Sequence, residues 1–149
     1  MMNSTLYLRI ASVLTLIHAV LHTIGGVFSK AGPGPAAVAF SAMQANQFAV
    51  MNVVRSYADF YRGLGLGISI FLTAEAIVFW QLGTLAQTHG RQLRPILVTF
   101  LVAYLALAVN SFFYFFFGPV ITEILIALCL GLAILTARST SSASTPVAA

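Results

Sequence analysis

Residues 95–117 read PILVTFLVAYLALAVNSFFYFFF, an unbroken run without one charged side chain. As a helix rising about 1.5 Å per residue it covers about 34 Å, enough to cross a hydrocarbon layer about 30 Å thick. Three more long, mostly apolar runs with few charges lie on either side of it, at 6–28, 55–83 and 119–137. A barrel strand needs only about ten residues, so segments of this length read as helices. The fold expected is an all-α, four-helix transmembrane bundle, with a short helix or connector between the first two spans.

Composition agrees with that reading. The chain has 149 residues, 60% hydrophobic and 7% charged, and a mean hydropathy of +0.97. Soluble domains carry about 25% charged residues, so the shortage decides the class. The net charge of +4 is small and dispersed, and no basic stripe alternates with aromatics, which excludes nucleic acid as a partner. The expected partner is the lipid bilayer, and oligomerisation is left open. The first run lacks the basic leader and small-residue cleavage site of a secretory signal, so it reads as a retained span. The lone Cys129 excludes an intramolecular disulfide. An even number of spans puts both termini on one side. Arg9, Arg91, Arg94 and Arg138 would lie there, against Lys30 and Arg55 opposite, so the positive-inside rule makes that side cytoplasmic.

Between the runs, punctuation is clear. Asn3, Ser4 and Thr5 offer caps for the first helix, which should end near Gly25 and Gly26. Lys30-Ala-Gly-Pro-Gly-Pro35 breaks the chain. Residues 36–50 suggest a short helix near the outer surface, in the interface plane, or a connector. Gly63, Gly65 and Gly67 follow no strand, so they suit close helix packing better than nucleotide binding. Residues 84–94 read as a polar cytoplasmic loop containing His89, Pro95 suits a first helical turn, and Gly118-Pro119 suggests the last hairpin. A domain over 1–138 is followed by a serine- and threonine-rich tail, 139–149, without the bulk to pack.

Sequence position converts to depth. His18 and His22 lie about 18 and 24 Å along the first helix, while Asp59 and Arg62 lie about 9 and 14 Å below the opposite surface. Asn110 and Tyr114 fall in the outer third of the third helix, and Glu123 one turn into the fourth. All of these share the outer half of the membrane, and the four-residue spacings place pairs on one helix face. Ionised groups are costly in hydrocarbon, so the polar stripes are expected to face a common interior. At the inner end, Arg9 and Glu75 match in depth and are expected to form a structural pair.

Several functions fit this cluster. It can be a polar network that only fixes helix packing, as in a non-catalytic accessory or structural subunit. The leading expectation is a polar pocket near the outer leaflet for a small hydrophobic or lipid-like molecule, with His22 and Asp59 as an acid–base pair. His18, Arg55, Tyr57, Arg62, Asn110, Tyr114 and Glu123 would then line it. A proton or ion path is a further option. His18 and His22 are spaced to share a metal ion that Asp59 or Glu123 could complete, yet the carboxylate spacing matches no known motif, so no metal is assigned. No cofactor can be named. Nucleophilic catalysis has no support, since Cys129 lies at the other end and no serine stands in an elbow-like turn.

Several runs carry a family resemblance: His22-Thr-Ile-Gly25, Arg55-Ser-Tyr-Ala-Asp-Phe60, Trp80-Gln-Leu82 and Ala127-Leu-Cys-Leu-Gly131. Together they resemble a family of small bacterial four-span membrane proteins without assigned function. The Ser-Tyr-x-Asp-Phe run is the most distinctive part, and Ala58 stands where that family has an aromatic residue. The layout is also similar to DoxX-like proteins, in topology alone. The resemblance implies a bacterial inner-membrane location and a site built on His22, Arg55, Tyr57 and Asp59.

Overall fold

The computed structural model describes residues 3–137. Helix α1 spans Ser4–Leu21 and continues as a π-helical turn over His22–Val27. Then come α2 (Pro35–Ala45), strands β1 (Gln47–Val50) and β2 (Val53–Ser56), α3 (Tyr57–His89), α4 (Arg94–Tyr114) and α5 (Phe117–Thr136). The fold is all-α, and four of its helices are long and apolar enough to cross a membrane. The protein is a multi-pass integral membrane protein.

Local chemistry explains most helix ends. Asn3 caps α1, its side-chain oxygen accepting from the Leu6 amide at 3.1 Å. Pro95 stands in the first turn of α4, where its missing N–H leaves nothing unpaired. Two boundaries differ from expectation. Residues 84–89 continue α3 instead of forming a loop, because no breaker intervenes before Gly90. The turn into α5 falls at Phe115 and Phe116, and Gly118 and Pro119 lie inside the first turn of α5. Proline is tolerated there, since the first amides of a helix have no intrahelical partner. The segment after α2 is a β-hairpin, with Gln47 opposite Ser56 and Val50 opposite Val53. Met51 and Asn52 at its tip both adopt positive φ, 49° and 64°, the conformation of a tight two-residue turn. The tail proposed for 139–149 lies outside the described residues, as does Arg138.

The described residues divide into two compact units, one of residues 3–15 and 75–137 and one of residues 16–74. In the first, Leu8, Ala11, Phe79, Leu97, Tyr104, Ile126, Leu130 and Ala133 form the core. The Phe79 ring lies 5.0 Å from Phe100 and 6.0 Å from Tyr104. Along α5 the buried positions Val120, Glu123, Ala127, Leu130 and Ala133 recur three and four apart, one stripe of a helix. The second unit holds the end of α1, the π turn, α2, the hairpin and the start of α3. There Gly65 makes the close approach expected of the glycine run: a Cβ on it would stand 2.9 Å from Val27 Cγ2. Gly63 and Gly67 face open space.

Candidate functional site

Within the second unit, His22 sits where α1 widens into the π turn, and its Nε2–H donates to the Gly65 carbonyl of α3 at 3.1 Å. At the next residue, Thr23 Oγ1 lies 2.6 Å from the Ala19 carbonyl and 2.8 Å from Ser69 Oγ. These contacts tie the C-terminal end of the first span to α3 through small residues, the usual way membrane helices approach closely. His18 is half-buried, and its Nδ1 has no hydrogen-bond partner among the described residues.

Asp59 has a different occupation. Its Oδ2 accepts from the Ser56 amide at 3.2 Å and from the Ser56 hydroxyl at 2.7 Å. The Asp59 amide in turn donates to Ser56 Oγ at 3.1 Å. This is a capping box: serine and an acidic residue three positions later satisfy each other's free amides at a helix start. The distinctive Ser-Tyr-x-Asp run is therefore the N-terminal lock of α3. Asp59 is exposed, as are Arg55, Tyr57 and Arg62, and Arg55 Nη1 donates to the adjacent Val54 carbonyl at 2.8 Å. His22 and Asp59 thus have separate partners.

The first unit contains the longer polar chain. Tyr104 of α4 is 1% exposed; its hydroxyl donates to Glu75 Oε2 of α3 at 2.9 Å and lies 3.4 Å from Thr15 Oγ1 of α1. Ser12 Oγ donates to the Ala76 carbonyl at 2.6 Å. Nearer the α4–α5 turn, Ser111 Oγ donates to Glu123 Oε1 at 3.0 Å, while Glu123 Oε2 is buried without a partner among the described residues.

Two expectations are corrected here. Arg9 does not pair with Glu75: its Nη2 donates to Thr84 Oγ1 at 2.9 Å, and its guanidinium stacks 3.5 Å above the Trp80 ring. Side chains lean toward the start of their own helix, so on antiparallel helices Arg9 and Glu75 lean apart. Asn110 and Tyr114 do not turn inward either. Both are exposed, Tyr114 at 78%, and the buried stripe of α4 is Leu97, Tyr104, Ala108 and Ser111. One residue is about 100° of helix rotation, so Ser111 takes the inside place that position 110 misses.

Among the described residues no three His, Cys, Asp or Glu side chains gather into a metal site, so the His18 and His22 pair has no completing ligand. Thr15, Tyr104, Ser111 and Ser56 are the polar residues that the depth argument passed over. The pattern Ser56-x-x-Asp59 was there to be read as a cap. No family model, curated protein or solved structure matches the chain.

Proposed function

We propose that the protein is a non-catalytic scaffold or accessory subunit of a membrane assembly, its in-span polar side chains fixing how helices pack. The observation that carries this reading is the occupation of His22 and Asp59, the two residues best suited to acid–base work. One holds a neighbouring helix through Gly65 and the other holds the cap of its own helix. The remaining in-span pairs, Ser12 with Ala76, Tyr104 with Glu75 and Ser111 with Glu123, likewise join one helix to the next.

Native mass spectrometry of the protein in mild detergent, with His22→Ala and Asp59→Asn beside the wild type, tests this. The scaffold reading expects the same bound species in all three and a lower unfolding temperature for His22→Ala. A stoichiometric small molecule lost from both folded variants would overturn it.

A second reading is favoured by the partnerless Nδ1 of His18 and Oε2 of Glu123. In it, a small hydrophobic or lipid-like molecule enters near the outer leaflet and offers a polar head to one of them, with acid–base chemistry following. Its mark would be a ligand retained by the wild type and released by Glu123→Gln. For orientation, both termini are placed in the cytoplasm, supported by Arg9, Arg91 and Arg94 against Lys30 and Arg55. The bacterial inner membrane rests on the resemblance to small bacterial four-span proteins.

A further inference from the structure

Between Lys30 and Arg55 lie 24 residues without a single charge, although they connect two membrane spans and belong to neither. A water-exposed segment of that length would carry about six charged residues at ordinary composition. The structure makes the omission sharper. The segment folds into α2 and the β1–β2 hairpin, yet not one residue from Ala31 to Val54 is buried. Helix α2, PAAVAFSAMQA, is apolar on most of its circumference and buries nothing. The hairpin tip presents Val50, Met51, Val53 and Val54, with Met51 92% exposed. An element apolar on all sides requires an apolar medium around it.

We propose that residues 31–54 are seated in the bilayer's outer headgroup region, with Lys30 and Arg55 holding lipid phosphates at its two ends. Three observations favour lipid over a protein partner. The segment starts and finishes where spans enter the membrane, so the same interface continues along it. Its only flanking charges are cations, one at each end, matching the phosphate layer. Of its two aromatic rings, Phe48 is already engaged within the chain, 5.0 Å from Tyr57 and 5.6 Å from Phe60, which ties the hairpin to the start of α3.

Backbone chemistry limits the depth. A two-stranded ribbon leaves the outward amides and carbonyls of both strands unpaired, and hydrocarbon cannot satisfy them. The hairpin therefore lies among headgroups and glycerol, with the side chains at its tip reaching the upper acyl region.

Spin labels test this in the full chain, on a Cys129→Ala background, reconstituted into phosphatidylethanolamine–phosphatidylglycerol vesicles. Labels go at Val38→Cys and Met51→Cys, with Gln92→Cys in the α3–α4 turn as the aqueous reference and Phe71→Cys in α3 as the lipid reference. At both test sites the ratio of oxygen to nickel-chelate collisions should exceed the Gln92 value severalfold and stay below that at Phe71, as for a headgroup-level position. A ratio equal to that at Gln92 would overturn the proposal in favour of a solvated loop. Shielding from both reagents would overturn it in favour of a covering protein, including a second copy of this chain. Val50→Cys replaces either site if a labelled protein fails to reconstitute.

Discussion

Ser56 and Asp59 satisfy each other through three hydrogen bonds at the start of α3, so their contribution is to stability and can be separated from catalysis. Ser56→Ala removes the cap and should destabilise the protein by about 1 kcal/mol. Asp59→Asn should cost less, because the asparagine oxygen still accepts from the Ser56 amide. Denaturant titration in detergent micelles reads both; a larger loss for Asp59→Asn would mean that its charge, not its cap, matters. Gly65 offers a second contrast. A methyl there meets Val27 at 2.9 Å, and overpacking of this kind costs about 1–3 kcal/mol. Gly63 has open space, so Gly63→Ala gains helix propensity and should stabilise by about 0.5–1 kcal/mol. Unfolding midpoints moving in opposite directions would verify the packing at Gly65, and equal shifts would refute it.

At the scale of helices, Tyr104 is the side chain on which three of them meet: its hydroxyl reaches Glu75 of α3 and Thr15 of α1. Tyr104→Phe leaves the half-buried Glu75 carboxyl without that donor, and stranding a polar group away from water costs about 1–3 kcal/mol. Ser12→Ala removes one α1–α3 bond whose ordinary value between membrane helices is about 0.6 kcal/mol. The order of the two effects, measured in the same detergent titration, is the check. A smaller loss for Tyr104→Phe would mean that its ring stacking with Phe79, which phenylalanine keeps, does the holding. The four long helices were legible in sequence because length and charge depletion are averaged over twenty positions and survive small errors, whereas the short hairpin over 47–56 carries no such average. The interior was not legible, since facing depends on angle. An error of one position sends Asn110 to the surface and Ser111 inside. Depth alone also grouped Asp59 with the membrane histidines, although its nearest chemistry was the serine three residues earlier.

Among the described residues the core takes small side chains beside its large ones, and large apolar side chains also cover the outside. Ser4, Ser12, Thr15, Ala76, Ala108, Ser111 and Ala133 are buried, whereas Ile70, Phe71, Phe113 and Leu135 are exposed. Small residues inside and large apolar ones outside suit helices whose solvent is lipid. Ile70→Lys is decisive on this point. At a water-facing position it would be nearly neutral, but in the middle of a spanning helix a lysine costs about 2.5–3.5 kcal/mol. The variant should accumulate poorly in membranes, and normal insertion with unchanged stability would remove Ile70 from the lipid face. The proposed orientation rests on where the arginines sit. Arg9 is held by Thr84 and Trp80, and Arg94 donates to the Ala137 carbonyl at 3.1 Å. Both basic groups thus mark the same ends of the spans as the α3–α4 turn. If that side is cytoplasmic, a cysteine at Gln92 on a Cys129→Ala background should react with a membrane-impermeant maleimide only in inverted vesicles. Reaction in intact cells instead would turn the topology over. The uncharged segment between Lys30 and Arg55 would then lie at the inner leaflet, with the same lipid chemistry on the opposite face.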